Sequence, residues 1–177
     1  MRRRIQVRGE ISIMVRTRLL ILILLLGCLP LASVVLAQEE PSIFGTKKAD
    51  PVFQDRGVAI RGYDPVAYFN QGKAVKGKKD FEYQYMGATW RFIDAENRDA
   101  FTKDPDKYAP QYGGYCAFGM SHGYAAPIDP KAWSVVEGKL YLNYNLEVRK
   151  EWNKDIPGFI GKANENWPKI PKKSREK

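Results

Sequence analysis

The chain has 177 residues and a formal charge of +9, but that charge sits at its ends. Six of the 29 basic and one of the 20 acidic residues precede Gln38, whereas residues 38–168 carry 18 of each sign. A central segment of zero net charge argues against nucleic acid as a partner, and its length of about 130 residues is that of one domain.

Arg16 and Arg18 precede an apolar run over residues 19–27 that continues more weakly to Ala37, and Val35 and Ala37 are small residues before a polar stretch from Gln38. This is the layout of a signal peptide over residues 1–37, with Met14 as an alternative start. It implies a periplasmic or secreted mature protein. Lipid attachment at Cys28 and a retained N-terminal membrane helix are the alternatives.

Residues 38–55 show little periodicity and read as a flexible tether, ahead of a domain over residues 56–168. Val58, Ala59 and Ile60 form a short strand, and Asp64-Pro65 opens a helical turn with Asp64 as its cap. Residues 71–80 form a Gly/Lys loop. Phe81, Tyr83 and Tyr85 then alternate with polar residues, and past Met86-Gly87 the alternation resumes through Ala88, Trp90 and Phe92, which predicts a hairpin with one aromatic face. Asp94 opens a helix that ends at Asp104-Pro105.

Residues 133–136 and 139–143 predict a second hairpin about Glu137-Gly138, Asn145 caps a helix, and Asp155 opens a last one ended by Trp167-Pro168. Residues 169–177 form a basic tail, expected disordered, with weak membrane-surface contact as a minor role. The class is α+β: a small antiparallel sheet of two hairpins with three to four packed helices. The expected core is Trp90, Phe92, Phe101, Tyr108, Trp133 and Leu140.

The chemistry concentrates in residues 111–123. Once the leader is removed, Cys116 is the sole cysteine, His122 is the sole histidine, and Met120 is one of two methionines. Thiolate, thioether and imidazole are the ligand set copper prefers, so Cys116, Met120 and His122 are the candidate metal site. Regular structure does not bring them together. On a helix His122 lies roughly 160° from Met120, and on a strand Cys116 and His122 are about 20 Å apart. A helical turn followed by a reversal closes the set, and Gly119 and Gly123 permit it. The competing readings are a buried structural cysteine and a reactive thiol served by His122 as base, a redox-active accessory enzyme. No hydrolase signature accompanies the pair. The partners expected are a metal ion, copper first, or another protein, with a small organic ligand as a further alternative.

Several blocks resemble the YHS domain. Asp64-Pro65-Val66, Tyr85-Met86-Gly87 with Trp90 and Phe92, and Phe101 with Asp104-Pro105 and Tyr108 follow the short metal-associated form. Residues 62–69, 112–117, Asp129-Pro130, residues 138–143 and Asn166-Trp167-Pro168 are similar to a longer exported subgroup. The resemblance implies the fold and its aromatic framework. It does not imply the metal site, because Ala67, Ile93 and Asn97 stand where the metal-associated form places cysteines. The function expected is an exported, non-enzymatic binding domain, with copper as the leading ligand.

Overall fold

The computed structural model describes residues 48–173. The leader, Cys28, the alternative start and the first part of the tether, expected from sequence, lie outside these residues.

Each strand begins or ends at a two-residue turn, and two of these turns are expected from sequence. β1 (Gln54–Asp55) and β2 (Val58–Ala59) pair antiparallel about Arg56-Gly57. β3 (Lys78–Tyr85) and β4 (Ala88–Phe92) form the aromatic hairpin, turning at Met86 (φ 53) and Gly87 (φ 76). β5 (Asp129–Val136) and β6 (Lys139–Asn143) turn at Glu137 (φ 49) and Gly138 (φ 71). In all three turns both loop residues are left-handed and glycine takes the second place, the geometry that matches strand twist.

Among the described residues six short helices are set among the strands: α1 (Ala67–Asn70), α2 (Ala95–Lys103), α3 (Pro105–Tyr108), α4 (Ala117–Ser121), α5 (Leu146–Trp152) and α6 (Ile156–Asn166). Asp94, Asp104, Asn145 and Asp155 each accept the N–H three residues on: the caps inferred from sequence start α2, α5 and α6, and Asp104, expected as a helix end, also starts α3. The α+β class stands, with two refinements. The hairpins fall in separate sheets, one of order β1-β2-β4-β3 and one of order β5-β6. In addition, β2 runs parallel to β4, Val58 opposite Thr89, a pairing between distant segments that no local period announces.

Two apolar clusters hold the elements. One gathers Trp90, Phe92, Phe101, Tyr108, Cys116 and Leu140, with Trp133 half-buried against it. The other gathers Tyr112, Tyr115, Met120, Tyr141 and Trp152. The expected core residues all belong to the first.

The segments read as tether and tail need correcting where they are described. Val52 is 1% exposed, Phe53 packs on both clusters, and the Phe53 N–H donates to the Gly113 carbonyl. Ala49 pairs with the far end of the chain: its N–H donates to Pro171 O, and its carbonyl accepts from Lys173 N–H. Lys172 Nζ lies 4.1 Å from the centre of the Trp167 ring. Apolar residues spaced without periodicity, as Val52 and Phe53 are, give no secondary-structure signal yet still fill a core.

Candidate functional site

Cys116 owes its position to a left-handed turn. Tyr112 (φ 56), Gly113 (φ 61) and Gly114 (φ 79) bend the chain so that Cys116 runs beside Leu142 of β6 and its N–H reaches Ala126 O. Gly113 must be glycine on a second count: any side chain there would strike the Pro51 carbonyl. Cys116 itself precedes α4 in a non-helical conformation and caps it, Sγ accepting the Gly119 N–H at 3.3 Å. The thiol lies 3.8 Å from Asn143 Oδ1, which accepts the Phe118 N–H at 3.1 Å. Burial pushes the thiol pKa up, although the N–H groups of Gly119, Tyr144 and Phe118 work against that shift.

Met120 and His122 go elsewhere. Met120 is 0% exposed and belongs to the second cluster, not the one that holds Cys116. His122 is exposed at the end of α4, where its ring lies 4.5 Å from that of Phe118. Its Nδ1 sits 2.8 Å from the Phe118 carbonyl, an acceptor only, so Nδ1 carries the proton. The expected helical turn and reversal are both present. The reversal, however, lays Tyr124 and Ala126 over Gly119 and does not bring His122 to Cys116. The structure therefore sends the three residues expected to bind copper to three different surroundings. Among the described residues no group of three or more His, Cys, Asp or Glu is placed to hold a metal ion.

The positions at which the metal-associated form carries cysteines do meet, around a carboxylate. Asp64 is fully buried, and its Oδ1 accepts from the N–H of Val66 (2.8 Å) and Ala67 (3.3 Å). Its Oδ2 accepts from the N–H of Ile93 and from Asn97 Nδ2, both at 2.8 Å. Asp64 thus joins the start of α1, the end of β4 and the first turn of α2. The place that resemblance would give to a metal is held by an anion with four donors, while Ala67 and Ile93 have no coordinating side chain. These residues do not fit a metal.

A cavity of about 500 Å³ opens where the β1–β2 hairpin meets residues 76–79 and β4. Asp55, Arg56, Val58, Arg61, Lys76, Lys79 and Arg91 line it, five cations to one carboxylate. Sequence reasoning missed it because charge was summed over residues 38–168, which balance, whereas positions 56–91 alone hold seven basic and three acidic residues. The available signal was Arg56-Gly57 and Arg61-Gly62, arginines in places where a turn favours smaller residues.

Comparison with curated proteins and with solved structures gave no match. A family model for the YHS domain matches residues 66–112, from the residue before α1 to the left-handed turn ahead of Cys116. Cys116, Arg56 and Arg61 lie outside the match, and Lys76, Lys79 and Arg91 lie within it. By this match, together with the aromatic hairpin and capped helices it spans, the chain carries a YHS domain.

Proposed function

We propose that the protein is an exported, non-enzymatic binding domain that uses the YHS fold as a scaffold without a metal. The observation that carries this reading is the Asp64 network, which fills with a satisfied carboxylate the place where the metal-associated form has its cysteines. The state of Cys116 points the same way. Its thiol is a buried helix cap held protonated, with no base at hand, whereas a nucleophile or redox centre needs an accessible thiolate. A copper centre of Cys116, Met120 and His122, whose side chains have three different surroundings, is not part of this reading. Export is supported by the order of charged, apolar and small residues in positions 16–37.

Alkylation separates this reading from the redox-enzyme alternative. Iodoacetamide at pH 8 is expected to modify Cys116 in the folded protein at least roughly a hundredfold more slowly than in urea, because reaction waits on opening of the core. Equal rates in the two states would favour the enzyme. Intact mass of protein recovered from cells tests export, the expected N-terminus being Gln38.

A further inference from the structure

The cationic cavity is built more deliberately than a surface with loose lysines. Its residues converge on Gly62: a Cβ there would lie 3.4 Å from Arg91 Cδ, 3.4 Å from Val58 Cγ1 and 3.7 Å from Lys76 Nζ. Gly77 lets the lysine segment lie directly on the main chain of Arg91, and its N–H donates to Gly62 O at 2.9 Å. Lys76 Nζ in turn donates to the Arg61 carbonyl and lies 5.0 Å from the centre of the Tyr63 ring. Two loops and a strand are thereby fixed around one opening.

The turns hold two of the cations in place. Arg56 (φ 51) and Arg61 (φ 55) are left-handed, and each is followed by a left-handed glycine, Gly57 (φ 80) and Gly62 (φ 74), so two tight turns set both arginines at the opening.

Charge and volume define the ligand. Arg91 is offset by Glu82 at 2.8 Å, and Arg56 is offset loosely by Asp55 at 3.6 Å. Arg61, Lys76 and Lys79 have no acidic partner among the described residues. A monocarboxylate leaves most of that charge unmet, whereas a phosphate group brings close to two negative charges and oxygens that match the guanidinium fork. A volume of about 500 Å³ exceeds what a bare phosphate needs and lies within the range of small-molecule sites. Val58 is the one apolar residue in the lining, and no aromatic face is offered for stacking. We propose that this cavity binds a small phosphorylated molecule with a polar body, Arg61, Lys79 and Arg91 supplying the donors. The proposal rests on the reading of the protein as a binding domain and gives that reading a ligand class.

Calorimetry on the full chain at low ionic strength tests it, with pyrophosphate as the probe and citrate as the carboxylate-only comparison. Wild type is expected to bind one pyrophosphate, more tightly than citrate. Arg61→Asn combined with Lys79→Gln should weaken binding by roughly tenfold or more, the loss of one or two charge-assisted bonds. Asparagine tolerates the left-handed backbone and Lys79 is exposed, so this variant should keep the wild-type melting temperature. Should it not, Lys79→Gln alone is expected to lose affinity and Arg61→Lys to retain most of it. Lys103→Gln with Lys107→Gln, in a second cavity of mixed charge, should bind as wild type does. No saturable pyrophosphate binding, equal binding by wild type and the Arg61/Lys79 variant, or citrate binding as tightly as pyrophosphate would each overturn the proposal. So would retention on phosphatidylglycerol vesicles that depends on Arg61 and Lys79 without pyrophosphate binding, which would assign the cavity to a membrane surface. Any of these failures leaves the binding-domain reading standing, because that reading rests on Asp64 and Cys116.

Discussion

Replacing Asp64 by asparagine changes almost no volume and should still be among the most damaging single substitutions in the domain. The side chain is fully buried and its two oxygens accept four hydrogen bonds, from Val66 N, Ala67 N, Ile93 N and Asn97 Nδ2. An amide can keep its oxygen toward Val66 and Ala67, but its NH2 group then faces the Ile93 N–H, a fixed donor, and Asn97 Nδ2, which must flip to offer its oxygen instead. Two bonds to a charged acceptor are lost, each worth about 1.5–3 kcal/mol, and the part-buried Ile93 N–H loses its acceptor. Relief from burying a charge returns part of this, which leaves a net loss of about 3–5 kcal/mol. At about 4 °C per kcal/mol for a domain of this size, the melting temperature should fall by about 12–20 °C. Urea unfolding followed by tryptophan fluorescence measures the loss. Asp64→Asn combined with Asn97→Asp should recover part of it, since the new amide then donates to a new carboxylate. A loss below about 1 kcal/mol, or no recovery in the double variant, would refute the claim that this carboxylate ties the three elements together.

Trp90 is 1% exposed, at the centre of the first cluster, and its Nε1 donates to Tyr85 O at 3.0 Å. Trp90→Ala should cost about 3–5 kcal/mol, and an unchanged urea midpoint would contradict its placement. Stability should also fall in alkali. Burial raises the pKa of Cys116 and pushes that of Tyr115 up to about 12, with Tyr68 and Tyr112 shifted in the same direction. The unfolded chain therefore releases these protons first, so stability is level below about pH 9 and declines above it. Urea midpoints at pH 7, 9 and 10.5 measure this, and a midpoint constant to pH 10.5 would count against the buried hydroxyls.

How much of the molecule was legible depended on whether the signal was local. Met86-Gly87 and Glu137-Gly138 mark two hairpins because a two-residue turn needs left-handed residues, and Asp94, Asn145 and Asp155 mark helix starts because a carboxylate or amide caps the next turn. Aromatic alternation placed Trp90 and Phe92 on the buried face. Nothing local distinguished Asp64 from the other caps. It does accept from the N–H groups of Val66 and Ala67, as a cap should, but its second oxygen reaches Ile93 and Asn97, about 30 residues on. The residues of the candidate metal site part for a related reason. Spacing counts residues, whereas Cys116 sits just outside the helix that contains Met120, so the two sulfur atoms enter different clusters. The cationic cavity was invisible because charge was summed along the segment while the fold separates it in space.

The central claim is that this YHS domain works without a metal, and copper retention tests it most directly. Purified full chain is exposed to Cu(I) without oxygen and in the presence of a competing chelator, then desalted and analysed for copper, beside the Cys116→Ser, His122→Ala double variant. The account predicts well under one copper per chain in both, and equal amounts in the two proteins. One copper per chain in the wild type that is lost in the double variant would contradict it.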